Sequence, residues 1–308
     1  MTNNHVPLTR RAFAGRLAKL AAASGVSGVI GRLPAALAAD TTTAGPWQLG
    51  CYTRPWDQYD YRVALDGMVE AGFKYAGIMT ANTKGWLILT VNSSPDEASA
   101  VGEEVKKRGL KALSLYAGEF PVARSVAAGL EGLKKLISLC VACGCPNLML
   151  AGTADQKLYE PYYQVIKECC DYAAAKGVGL SLKPHGGLNA TGPQCRKAIE
   201  LAGHKNFGLW YDPGNIFYYS DGQLDPVDDA ATVDGLVVGM SVKDYRPPKE
   251  VLVTPGAGKV NFKALLARLK QGGFTRGPLL IECLERGPVE KITADAKKTR
   301  IFLEGLTV

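Results

Sequence analysis

From Trp47 to the C-terminus, short runs rich in aliphatic, aromatic and β-branched residues alternate with longer stretches whose apolar positions recur at helical spacing. The short runs predict strands at Gln48–Thr53, Tyr75–Met79, Lys111–Tyr116, Asn147–Leu150, Gly179–Lys183, Gly208–Asp212, Val237–Val242 and Leu279–Cys283. Between them, Tyr61–Glu70, Pro95–Arg108, Val126–Cys143, Tyr159–Ala175, Gln194–Ala202 and Phe262–Lys270 predict helices. Glu70-Ala71-Gly72-Phe73, Lys107-Arg108-Gly109-Leu110 and Lys176-Gly177-Val178 repeat one punctuation: a helix end, a glycine suited to the cap, then an apolar entry into the next strand. This is the βαβ rhythm, and eight strands are the number that closes a (β/α)8 TIM barrel in a single domain. An open doubly wound sheet is the competing architecture, but no G-x-G-x-x-G follows the first strand. The polar stretches Thr80–Ser94 and Ile216–Asp229 read as loops at the top of the barrel.

The first 39 residues break this pattern. They carry Arg10, Arg11, Arg16, Lys19 and Arg32, no acidic residue, and an apolar small-residue run from Leu20 to Ile30 that glycines interrupt before it could span a bilayer. Thr9-Arg10-Arg11-Ala12-Phe13 resembles a twin-arginine export signal, and Ala36-Leu37-Ala38 fits a small-x-small cleavage site, with the cut expected after Ala38 or Ala39. The expected partner is then the twin-arginine export machinery, and the destination periplasmic or extracellular. Residues 40–308 make the barrel, with no membrane association after cleavage. Loss of the five basic residues lowers the formal net charge from +7 to about +2, which removes the main support for a nucleic-acid partner.

Eight cysteines follow, at 51, 140, 143, 145, 169, 170, 195 and 283. They fall inside apolar helices and strands, where cysteine acts as a small buried hydrophobe rather than half of a disulfide. Cys140-x-x-Cys143-x-Cys145 has no second Cys/His pair at ligand spacing, so a metal site is not expected there.

In a barrel of this type, function is sought at the carboxyl ends of the strands, where side chains from different strands converge. Four strand ends turn polar: Lys183-Pro184-His185-Gly186-Gly187, Asp212-Pro213-Gly214-Asn215, Ser241-Val242-Lys243-Asp244-Tyr245 and Glu282-Cys283-Leu284-Glu285. With these motifs, Gly177 to Cys283 resembles the xylose isomerase-like barrel family of sugar phosphate isomerases and epimerases. The resemblance implies that Asp212 matches a metal-binding aspartate, that Glu282 matches a metal-binding, acid/base glutamate, and that Thr254–Phe262 matches a glycine-rich loop. Two matches fail: Lys183 stands where the family has a glutamate ligand, and Ser241 where it has a histidine. Asn215 stands where relatives often carry a substrate-binding histidine.

The reading that follows assigns catalysis to Glu282, Lys183, His185 and Asp212. Lys183 supplies positive charge in place of a metal and stabilises an enediolate or keto oxygen, while Glu282 and His185 move protons. Asn215, Ser241, Lys243, Asp244 and Trp86 are the expected substrate-binding residues. No cofactor is required; a divalent metal, if one binds, would use Asp212 and Glu282. The expected activity is proton-transfer chemistry on a small-molecule keto or aldo sugar or a keto-glycoside, by isomerisation, epimerisation or elimination. The alternative is a non-catalytic sugar-binding barrel whose Lys–Asp–Glu network fills a degenerate site. An abasic-site endonuclease would need a histidine-rich zinc cluster, for which His185 and His204 are too few.

Overall fold

The computed structural model describes residues 46–307. Its eight strands are β1 (Trp47–Tyr52), β2 (Tyr75–Ile78), β3 (Lys111–Tyr116), β4 (Asn147–Leu150), β5 (Gly179–Leu182), β6 (Phe207–Tyr211), β7 (Val237–Val242) and β8 (Gly277–Ile281). They form a closed barrel in sequential order, every pair parallel, with β1 sealed onto β8 from Trp47↔Gly277 to Cys51↔Ile281. The (β/α)8 barrel read from the sequence is thus the observed architecture. The expected export signal and its cleavage site lie outside the described residues. Among the described residues, no helix is long and apolar enough to cross a membrane.

The larger helices are α1 (Tyr61–Glu70), α2 (Pro95–Lys107), α3 (Val126–Ala142), α4 (Tyr159–Ala175) and α5 (Gly192–Ala202), followed after β6 by short α6 (Pro213–Tyr219) and α7 (Pro226–Ala230), then α8 (Phe262–Gln271) and α9 (Val289–Thr307). The stretch expected to be a loop after β6 therefore holds two short helices. Asp212 caps α6 by accepting from the backbone N–H of Asn215, and Asp225 caps α7 by accepting from Val227, each followed by proline in the first turn. Both Asp-Pro starts are visible in the sequence, but each helix is too short to show apolar periodicity. Ser94 and Glu97 form a reciprocal capping box at the start of α2, which ends the 80–94 loop sharply.

Two cores result. One lies between the strands and the helices; the other fills the barrel with Tyr52, Met79, Leu113, Met149, Trp210 and Leu280. The large rings fit because the neighbouring strand carries glycine at the paired position, Gly77 beside Tyr52 and Gly239 beside Trp210. A Cβ on Gly77 would lie 2.2 Å from the Tyr52 ring, and one on Gly239 would lie 2.4 Å from Trp210. The filled interior is a solid floor whose few polar groups, Tyr52, Ser114, Asn147 and Ser181, bond to one another, while the charged strand ends lie at the mouth above it. All eight cysteines are buried free thiols, as their apolar settings imply.

Candidate active site

The polar strand ends converge. Lys183 follows β5, Asp212 follows β6, Ser241 and Lys243 come from β7, and Glu282 follows β8; all five are at most 3% exposed. Lys183 Nζ bonds Glu282 Oε2 and lies 3.0 Å from Asp212 Oδ2. Lys243 Nζ donates to Glu282 Oε1 at 3.0 Å and to Asn215 Oδ1 at 2.8 Å, and stands 3.6 Å from Asp212 Oδ2. Ser241 Oγ donates to Glu282 Oε2 at 2.7 Å. From the end of β1, Arg54 Nη1 donates to Glu282 Oε1 at 3.2 Å. Three cations therefore surround two carboxylates, and the cluster carries one surplus positive charge.

Glu282 is central. Burial by itself would push its carboxyl pKa up, but Lys183, Lys243 and Arg54 outweigh that and hold it well below the usual carboxylate range. Its two oxygens accept from four donors, which uses the lone-pair positions a carboxylate offers. Glu282 thus holds the ammonium groups in place and is poorly suited to the proton-moving role that the sequence assigns to it. Asp212 differs: Oδ1 caps α6, while Oδ2, although beside two ammonium groups, makes no aligned hydrogen bond. Lys243, expected to touch substrate, is raised in pKa because Asp212 and Glu282 overcome the opposing effect of its burial.

His185 stands at the exposed rim, its ring centroid 5.8 Å from that of Tyr219. Water reaches it, yet the protein mass around the ring lowers its pKa to about 4, with Lys183 and Lys243 acting in the same direction. It is a neutral imidazole at neutral pH. Tyr116, half-buried at the end of β3, is pushed up to about 12 by burial, with Glu119 and Glu282 adding to it, and so keeps its proton. Trp86 is 51% exposed in the loop after β2, its ring centroid 5.8 Å from Arg54 Cζ.

Two expected substrate contacts are otherwise engaged. Asp244 does not face Lys243 or the mouth. Its carboxylate accepts from the backbone N–H groups of Tyr245, Gly256, Gly258 and Val260, and so holds the glycine-rich loop in shape. The reason is strand alternation: with Lys243 directed inward, its neighbour must point away from the barrel axis. Asn215 spends both ends of its amide inside the protein, donating to Pro184 O at 2.7 Å and accepting from Lys243. Asp244→Ala is expected to lower stability by about 2–4 kcal/mol, because it strands several loop N–H groups at once; urea unfolding measures it. Arg54 is the residue that the sequence reading missed. It follows an apolar strand with a charge, the same signal that marked the other four strand ends.

The donor set does not fit a divalent ion. Of the four positions the family resemblance implies, two carry carboxylates and two carry Lys183 and Ser241, and the Lys183 ammonium lies directly between the carboxylates. Among the described residues, no three His, Cys, Asp or Glu side chains are grouped to hold a metal.

A closed eight-stranded barrel with charged residues at the carboxyl mouth defines an α/β-barrel whose site is built from strand ends. The chain belongs to the xylose isomerase-like TIM barrel family, whose model matches residues 65–304. It is similar to L-ribulose-5-phosphate 3-epimerase of Salmonella paratyphi C, 29% identical over 195 residues. That match covers 58% of this chain and 63% of the relative, so the chain spans less than two thirds of that protein's length. Among solved structures, a xylose isomerase domain protein from Planctomyces limnophilus superposes with TM-score 0.66 at 19% identity, covering 85% of this chain and 98% of the other. A D-psicose 3-epimerase solved in the presence of D-fructose gives TM-score 0.68 at 14% identity, covering 84% and 99%. At these identities the structures establish the shared fold.

Proposed function

We propose that the protein is a sugar isomerase or epimerase that acts without a divalent metal, the ammonium groups of Lys183 and Lys243 taking the metal's electrostatic place. The observation that carries this reading is the position of Lys183, wedged between Asp212 and Glu282. The relatives support the reaction class: the similar Salmonella protein is named a sugar-phosphate 3-epimerase, and the superposed structure a D-psicose 3-epimerase.

Such reactions remove a proton from the carbon beside a carbonyl and leave negative charge on its oxygen. Fixed N–H donors aimed at that oxygen in a water-poor site lower the barrier, and two buried ammonium groups supply them. Asp212 and Glu282 hold Lys243 in its charged form and fix both lysines in direction. The proton acceptor is His185, whose imidazole is neutral and, among the described residues, takes no side-chain hydrogen bond that would consume its lone pair. The export signal read at Arg10-Arg11 would place the reaction outside the cytoplasm, on an unphosphorylated sugar.

The test is deuterium exchange from D2O into the α-carbon of ketoses and keto sugar acids, followed by NMR, with and without EDTA. Exchange that survives chelation supports the reading; no exchange across the panel, or exchange that a divalent ion alone restores, ends it. The pH profile gives a second check. A histidine with a lowered pKa is a competent base only above that value, so the rate should climb through about pH 4 and level off by about pH 6, not near the ordinary histidine value of about 6.5. Burial of the ring sets most of this position; Lys183, Lys243 and Arg54 add to the lowering and Glu282 opposes it, with the Tyr219 ring alongside.

A second reading has its own observation. Glu282 is fully buried and already has four donors, which suits a sugar-binding protein whose charged cluster is structural. Saturable sugar binding without exchange would select it.

A further inference from the structure

We propose that the ligand of the barrel mouth is a sugar acid, whose single carboxylate is taken by Arg54 while its ring lies against Trp86. This rests on reading the mouth as a sugar site and names the class of sugar.

Three observations converge. The first is charge. Among the described residues, Arg54, Lys183 and Lys243 form ion pairs with Asp212 and Glu282 alone, and Asp57, which also acts on Arg54, is itself paired with Arg286, so one positive charge lacks a counter-charge in a site where water screens poorly. His185 adds no charge, and a monoanion balances the cluster. The second is an unused donor. Arg54 is the outermost of the three cations, 20% exposed, and only its Nη1 reaches Glu282. Its Nε–H is buried and has no hydrogen-bond partner. A guanidinium offers Nε–H and one Nη–H as a parallel pair, the fork that a carboxylate accepts with both oxygens.

The third is strain. Trp86 holds a left-handed backbone, φ 65°, which costs a non-glycine residue about 1–3 kcal/mol. Backbone bonds hold this conformation, Trp86 accepting from Ala81 N–H and donating to Thr83 O in the turn that the Thr80–Leu87 bridge closes, while the residue stays half exposed. The turn sets the indole under Arg54, whose guanidinium lies over the ring, and leaves the rest of this half-exposed aromatic surface for a sugar ring to stack on.

A phosphate fits less well. It brings close to two negative charges to a surplus of one. The loop after β7, where barrels of this class often seat phosphate, has its N–H groups at Gly256, Gly258 and Val260 already committed to Asp244.

The experiment titrates the purified protein with D-glucuronate, D-galacturonate and D-gluconate, each against its neutral counterpart D-glucose, D-galactose or D-glucitol, and with inorganic phosphate. At least one acid should bind about tenfold more tightly than its counterpart at low salt. Arg54→Gln should erase that preference and Arg54→Lys should keep part of it. Trp86→Ala should weaken acid and neutral sugar alike. Circular dichroism of each variant confirms folding. The proposal is overturned if no acid outbinds its counterpart, if phosphate binds as well as the acids, or if the preference survives Arg54→Gln. Exchange on neutral ketoses without any preference for acids would sink this inference and leave the isomerase reading intact.

Discussion

Glu282→Gln should destabilise the barrel by about 3–5 kcal/mol, whereas Lys183→Met, in the same cluster, should cost much less stability yet lower turnover by about 10²–10³-fold. The difference follows from the charges. Without Glu282, Arg54, Lys183 and Lys243 would face Asp212 alone, leaving two uncompensated positive charges under the mouth, and the glutamine amide would turn donors toward donors. Without Lys183, Lys243 and Arg54 still match two carboxylates, and Lys243 already stands 3.6 Å from Asp212 Oδ2. Urea unfolding reads the stability changes, and α-carbon exchange reads turnover. Wild-type exchange in Lys183→Met would show that its ammonium does no chemistry, and equal stability losses in both variants would show that the surplus charge is not real.

Lys183→Glu combined with Ser241→His should convert the mouth into a divalent metal site. The pair replaces an ammonium and a hydroxyl by a carboxylate and an imidazole at the two positions where the chain departs from the family's ligand pattern. With Asp212 and Glu282, four donors from β5, β6, β7 and β8 then surround the point that Lys183 now occupies. Bound Mn²⁺, measured by metal analysis and titration calorimetry, should approach one ion per variant chain, with negligible binding to the wild type. Tight stoichiometric binding to the wild type would mean that Lys183 leaves the carboxylates in solution. Failure of the variant to bind would place the blame on Lys243, whose ammonium remains in contact with both carboxylates.

The fold was legible because barrel strands obey local rules. Each is a short apolar run, the C-caps of α1 to α5 and α8 are a glycine or the residue before one, and β3, β4 and β7 match their expected bounds residue for residue. The same rules marked four polar strand ends, since a charge that interrupts an apolar run at its carboxyl end has the mouth to go to. Lys183, Asp212 and Glu282 meet there as the strand positions require. Arg54 shows the limit of habit: its strand end carried the same signal in Thr53-Arg54-Pro55.

What the sequence by itself determined is therefore which residues reach the mouth, because strand order and side-chain alternation are set along the chain. Only the tertiary structure decided what they do there. Asp244 faces away and ties down a loop twelve to sixteen residues on, Asn215 is consumed by Pro184 and Lys243, and Glu282 is saturated by donors from β1, β5 and β7. Hydrogen bonds and charge balance depend on distances between residues far apart in sequence, and no local pattern records whether a donor has already been claimed.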